Sequence, residues 1–560
     1  MMTNKAPLFL LSSLICILIL NCCKPRDIEL PSDKGITFRV TGIEEGGTTE
    51  LLGSIKGRNT ENPDRLSIHR EIRNVKGLDI DLIIEENAVN NLALAKTASS
   101  SPISDNTVFF IMLFEADGNG NAVKFKYSVK STGNGPTIPF PANRNTQYRW
   151  FAYSFNSAED FRQPIVESPI LDINSSSVRD GSELLYATGV ITTSNDPNAA
   201  NQVPITFKRM VSAIRFEIDA RGVFSSIKDL QFDFPASNNG FRNGKFSLRN
   251  GVFTETSDAE QFSRSAWLDH IADTIPTGWV KYQQLLTVPN GEPMNFQAIL
   301  KNLTITSQTI TPGNPTAITF ADRNYGVPTA GILFDFPDFT PTAGKRYTIK
   351  LRLKENPITA GGTQWARGNL TYVANSPENK YRFWYDNSFI KNVNGGMNNF
   401  IERDYFDTRP PRGEPQAPPS NWDPCALVYP EKTWRLPTEA EFKRLGEDAE
   451  SHDRHRVDQE NSQGWYGSWG NRSSIGPPRY KNNDLNFVAA GYRDRKTRAL
   501  QKFNYRGFGT FSADEGFFKT SDTSKFFHID YGGSIIGFDL GIRITTATDG
   551  RGVNVRCVRR

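Results

Sequence analysis

The chain has 560 residues, with 65 Lys and Arg against 61 Asp and Glu and a formal net charge of +4. A balance this even excludes the broad positive field that gathers nucleic acid or anionic lipid, and the length allows several separate cores.

The first element is an export signal. MMTNKAPLFLLSSLICILILNCC carries one lysine and then an apolar run of about fifteen residues, too short and one-sided for a membrane span. Its end, Leu20-Asn21-Cys22-Cys23, resembles the lipobox of bacterial lipoproteins, which implies that Cys22 or Cys23 receives diacylglycerol. With Cys23, Leu20 stands three residues before the modified position; with Cys22, Ile19 does and Asn21 falls at the cleavage position. The other reading is a plain secretory signal, residues 1–23, followed by two ordinary cysteines. Beyond this region only Cys425 and Cys557 remain, an even pair in an exported chain. A disulfide between them is expected, worth about 4 to 5 kcal/mol on the chain-entropy argument; the alternative is two buried thiols.

From about residue 35 the apolar period is two, the mark of half-buried strands. Arg346-Tyr347-Thr348-Ile349-Lys350-Leu351-Arg352-Leu353-Lys354 alternates strictly, predicting antiparallel sheet with one packed and one wet face. Leu78–Leu82, Val123–Tyr127 and Ile214–Ile218 repeat the pattern. Asn250-Gly251 predicts a type I′ hairpin between Phe246-Ser247-Leu248 and Val252-Phe253.

The stretches Gly35–Val40, Tyr148–Ser154, Glu183–Ala187 and Ile205–Phe216, with Ala343-Gly344-Lys345-Arg346-Tyr347-Thr348-Ile349 further on, resemble in their order the landmarks of the fimbrillin-like (Mfa-like) lipoproteins of Bacteroidota. The resemblance implies two antiparallel β-sandwich domains, over residues 30–225 and 226–360, and a role as stalk, anchor or tip subunit of surface fimbriae. It also implies partnership with fimbrial subunits by strand addition, once a protease removes the first strand. Arg58, Arg65, Arg70 and Arg73 are candidates for a cleavage loop after that strand.

Near residue 362 the texture changes. A Pro-rich stretch at 408–420 reads as a surface loop or spacer. The blocks Asp423-Pro424-Cys425, Trp434–Glu441, Phe487–Asp494 and Val553–Arg559 resemble the Fibrobacter succinogenes major paralogous (FISUMP) domain, here residues 362–560. That resemblance implies an α+β fold of the C-type-lectin-like group. In KTWRLPTEAEFKRLGE, Thr438 and Glu441 form a capping box, so a helix starts there and carries Ala440, Phe442 and Leu445 toward a sheet.

Chemistry in this domain has few candidates. With both cysteines in a disulfide, catalysis lacks a thiol nucleophile. His452 and His455 stand at helical spacing, but the charges around them favour a solvated helix end over a metal site. The triplets of calcium-dependent lectins are missing, and Arg493–Arg498 reads as a solvated turn. Trp465, Tyr466 and Trp469 are read as a glycine-bordered loop where rings could stack on a sugar, or else fill the core.

The expectation is therefore a mainly β, non-enzymatic protein without cofactor or metal, held at the outer membrane by its N-terminal lipid and exposed at the cell surface. It would act as an accessory or tip-type fimbrial subunit or adhesin whose C-terminal domain binds a glycan or protein partner. The alternative is a non-fimbrial glycan-binding lipoprotein of the outer membrane. A polysaccharide-active enzyme is a third class, but no carboxylate spacing marks one.

Overall fold

The computed structural model describes residues 35–44, 65–75, 78–87, 100–133, 135, 138–159, 170–173, 183–196, 198–235, 241–259, 262–264, 266–272, 275–311, 314–325, 327–373, 379–383, 405–406, 422–447, 452–456, 465–469, 485–488, 491–494, 497, 500–501, 515–534, 537–546 and 551–560. Cys22, Cys23, Arg58 and the Pro-rich stretch 408–420 lie outside them. The protein is mainly β, and among the described residues Glu439–Glu447 forms the one α-helix.

The first unit is built on an eight-stranded sheet. Its path runs Ser100–Ser101, Ile36–Glu44, Asn201–Arg209, Leu185–Thr192, Gln147–Ser154, Val108–Ala116, Ala122–Thr132, with Ile138–Phe140 also beside Ile36–Glu44. One face carries Phe109, Ile111, Leu113, Trp150, Ile205 and Phe207 around Phe38 and Phe140. Tyr127 on the last strand lies 6.5 Å from Phe140, so the sheet curls round its own core. The other face, with Phe110, Met112, Phe151 and Tyr153, packs on Leu171, Phe246 and Leu248 from a three-stranded sheet of Val252–Asp258, Arg242–Ser247 and Ile170–Ile173. Covered on both faces, Val108–Phe114 is a continuous apolar run instead of an alternating one.

The second unit is a sandwich. A six-stranded sheet (Leu268–Asp269, Val280–Thr287, Ser212–Gly222, Arg346–Glu355, Leu78–Asn87, Arg65–Val75) faces a five-stranded one (Phe262–Arg264, Ser226–Phe234, Gln297–Thr311, Asn314–Asn324, with Ile332–Asp335 off the path). Between them lies a core that includes Ile80, Leu82, Phe216, Ile218, Phe232, Phe296, Ile349 and Leu351.

Three features depart from the sequence reading. Ile36–Glu44 runs parallel to Asn201–Arg209, and Ser212–Gly222 runs parallel to Arg346–Glu355, within sheets expected to be antiparallel. Long crossovers make such pairs possible, and period-two alternation does not register strand direction. The strands Arg65–Val75 and Leu78–Asn87, assigned by sequence to residues 30–225, sit in the second unit, and so does Ser212–Gly222. Lastly, Arg346–Glu355 has no wet face: Thr348, Lys350, Arg352 and Lys354 are as buried as the core residues between them.

The hairpin near Asn250-Gly251 also differs in detail. Ser247 pairs with Val252 across a four-residue connection, and only Gly251 has positive φ, at 69°. A type I′ turn would need both central residues there.

Among the described residues the C-terminal module is an assembly of small sheets around one α-helix. Thr438 and Glu441 make the expected capping box: the Thr438 amide donates to Glu441 Oε2 at 2.8 Å, and the Glu441 amide donates to Thr438 Oγ1 at 3.2 Å. Phe442 and Leu445 are fully buried and Phe442 stacks on Phe527 at 4.3 Å, whereas Ala440 is exposed.

Candidate functional site

Two places could carry function: the slot held by the first described strand, and the closed module at the other end. Ile36–Glu44 is an inner strand, with Asn201–Arg209 on one side and Ser100–Ser101 and Ile138–Phe140 on the other. Ile36, Phe38 and Ile43 are buried, and Phe38 packs edge-on against Phe140 and Trp150 at 5.0 and 5.8 Å. Thr41 donates its hydroxyl to the Ile205 carbonyl at 2.9 Å. At the entry, a Cβ on residue 35 would lie 1.9 Å from the Phe140 carbonyl oxygen, so only glycine fits. At the exit, Arg209 donates to Glu183 at 2.8 Å and reaches the Glu44 carbonyl at 3.4 Å, while Arg346 of the second unit donates to the same Glu183 carboxylate at 3.3 Å.

The module brings its four sequence blocks together. Trp434-Arg435 pairs with Val558-Arg559, and Val558 also pairs with Trp365. Both carboxylate oxygens of Asp423 accept from the Leu436 amide at 3.1 Å, and one also takes the Cys425 amide at 3.0 Å. Burial pushes the Asp423 carboxyl above its ordinary range, against these donors. Gly491 bridges Gly516, and Arg493 exchanges backbone hydrogen bonds with Gly552. Arg435 forks onto Glu441 at 2.8 and 2.6 Å; burial opposes the Glu441 charge, but this guanidinium and the Thr438 donors outweigh it and hold the carboxyl at about 2. Arg556 is fully buried, donating to the carbonyls of Ala366 and Arg367 and to Asn369, and desolvation lowers it to about 9. Cys425 and Cys557 are joined in a disulfide inside this core.

The other predicted site residues fare differently. Trp465, Tyr466 and Trp469 lie on a strand, not a loop: Trp465–Trp469 is the middle of a three-stranded sheet with His452–Arg456 and Leu485–Val488. A strand alternates its positions between two faces, so 466 does not share a face with 465 and 469. His452 and His455 are on the neighbouring strand, which removes the helical spacing that suggested a metal pair. Among the described residues no group of His, Cys, Asp and Glu could hold a metal, and no helix is long and apolar enough to cross a membrane. Arg65, Arg70 and Arg73 belong to a strand instead of a cleavable loop.

Sequence reasoning missed the junction between the second sandwich and the module. Tyr429 donates to Asp219 Oδ2 at 2.5 Å and accepts from Arg221 at 2.7 Å, while Arg221 forks onto Asp219 at 3.0 and 2.8 Å and covers the Tyr429 ring at 4.2 Å. Burial weighs most against the Asp219 charge, yet Arg221, Lys350 and Arg352 keep its carboxyl below the ordinary range. Burial, with the Asp219 charge beside it, drives the Tyr429 phenol well above its own. The alternating acids of Leu78–Asn87 and bases of Arg346–Glu355 were visible, but not that these strands are neighbours.

The described residues thus form a curled β-sheet, a β-sandwich and a smaller module tied by the Cys425–Cys557 disulfide. Residues 96–364 match the family described as fimbrillin-like. This segment, just under half of the chain, is fimbrillin-like. Among solved structures the chain is similar to the fimbrial anchor protein Mfa2 from Porphyromonas gingivalis, with 12% identity and TM-score 0.22 over 38% of this chain and 72% of that one. It is also similar to a candidate cell adhesion protein from Bacteroides uniformis, with 11% identity and TM-score 0.25 over 40% of this chain and 93% of that one. No curated protein matches.

Proposed function

We propose that the protein is an accessory or tip-type fimbrial subunit or adhesin, anchored in the outer membrane by lipid on Cys22 or Cys23, with a FISUMP-like module over residues 362–560 that binds a glycan or protein partner. One observation supports the reading: Ile36–Glu44 is an inner strand of its sheet, while Val558–Arg559 is paired on both sides. Ile36–Glu44 fills an inner position that a neighbour's strand could take after proteolysis. Val558–Arg559, by contrast, is paired on both sides within the module, and Cys557 is tied to Cys425. A subunit so built accepts a strand and donates none from that segment, which suits an end position in a filament better than a stalk.

The test is an unheated gel of the native membrane fraction, blotted for this chain, beside protease shaving of intact cells. A protease-sensitive high-mass ladder is the expected result. A single shaved band overturns filament entry and favours the glycan-binding alternative, in which Trp465→Ala and Trp469→Ala would abolish retention on a glycan column.

A further inference from the structure

The module grips the second sandwich at the ends of three adjacent strands. On Ser212–Gly222, Asp219 receives the Tyr429 hydroxyl. On Arg346–Glu355, the Glu355 carbonyl accepts from Arg559 at 2.9 Å. On Leu78–Asn87, the Asp79 carboxylate takes the other arm of the same Arg559. The register places these strands side by side at one end of the sheet, with Asp219 opposite Arg352 and Lys354 opposite Asp79. Between the polar contacts lies an apolar seam in which Phe224 and Trp279 of the sandwich meet Phe383 and Trp434 of the module; Phe383 is 5.5 Å from Phe224, and Arg382 covers Trp279 at 5.1 Å.

The covalent crossing is equally constrained. Two residues, Asn356 and Pro357, separate Arg346–Glu355 from the strand Ile358–Ala360, and the Asn356 carbonyl accepts from Arg367 at 2.7 Å. A two-residue connection, one residue of it proline, with the Glu355 and Asn356 carbonyls both held by arginines of the module, is short and restrained compared with a flexible linker.

We propose that this junction is a rigid clamp, with Tyr429 as its pin, that fixes the orientation of the C-terminal module on the second sandwich and passes force from the module into three neighbouring strands at once. The arrangement has the chemistry of a lock. The phenol hydroxyl is the protein's own buried partner for Asp219, and Arg221 orients both. Removing the hydroxyl leaves the carboxylate one hydrogen bond short in a dry site, where such a loss is felt most. Pulling on the module would therefore load Ser212–Gly222, Arg346–Glu355 and Leu78–Asn87 in parallel, not the connecting peptide alone. The clamp holds or fails independently of whether the chain enters filaments.

The test measures the distance between nitroxides carried on genetically encoded azide residues at Ile271 and Lys443 in the full chain, both exposed and on opposite sides of the junction. The expected result is one narrow distance distribution in the parent chain that broadens in Tyr429→Phe and again in Arg559→Gln, with circular dichroism unchanged. A broad distribution in the parent chain overturns the clamp. So does a narrow one that neither substitution alters. Tyr429→Phe keeps the ring and removes a single oxygen, so with a narrow distribution in the parent chain this variant decides the question even if Arg559→Gln does not fold.

Discussion

The indole of Trp150 lies across the backbone of Gly189, its cross-strand partner in the first sheet. A Cβ built on Gly189 would meet Trp150 ring atoms at 2.8, 2.9 and 3.0 Å, and the ring is itself buried among Phe38 and the apolar face of the sheet. Gly189→Ala is expected to displace that ring and destabilise the first unit by about 1–3 kcal/mol, read as a lower urea midpoint with an unchanged slope. A wild-type midpoint would mean that the ring has room to move.

Phe38→Ala tests the slot. Phe38 is 5% exposed and touches Phe140 and Trp150, so truncation should cost about 3–5 kcal/mol. Hydrogen exchange should then quicken along Ile36–Glu44 and Asn201–Arg209 before it does in the six-stranded sheet. Uniform loss of protection across both units would argue against a separable strand.

Acid should weaken the module through Glu441. Its carboxyl sits at about 2 in the folded chain against an ordinary 4.5, so the ionised form stabilises the fold above that ordinary value. The contribution, on the order of 2 kcal/mol at neutral pH, is lost as pH falls from about 5 toward 2. Glu441→Gln should lower stability at pH 7 and flatten the pH dependence across this window; an unchanged slope would assign the acid sensitivity to other carboxylates.

Replacing Cys425 and Cys557 together by Ser opens a loop spanning 132 residues in sequence and removes a buried crosslink. Denaturant unfolding of the module should lose about 3–5 kcal/mol relative to the oxidised parent. Reductant should affect the parent chain and leave the double variant unmoved.

How far the fold was legible follows from which interactions are local. The capping box was readable because Thr438 and Glu441 are three residues apart and the hydrogen bonds close within one helical turn. The disulfide was readable by counting, since few cysteines leave few pairings. The aromatic stretch at 465–469 was misread as a loop because its glycines suggested a turn, whereas pairing with two other strands decided its conformation.

The amino-acid sequence by itself determined the strand-rich texture, the start of the described α-helix and the order of the fimbrillin-like and C-terminal segments, because period, capping and motif spacing are short-range properties of a chain. Only the tertiary structure decided which polar residues are buried. Lys350, Arg352 and Lys354 look like a solvated face until Leu78–Asn87 and Ser212–Gly222 flank them, and then Asp81, Glu217 and Asp219 supply the counter-charges that allow burial. Asp219 and Tyr429 are 210 residues apart, and no local rule brings them together. Their meeting depends on strand order and direction, which alternation leaves open and the packed core settles.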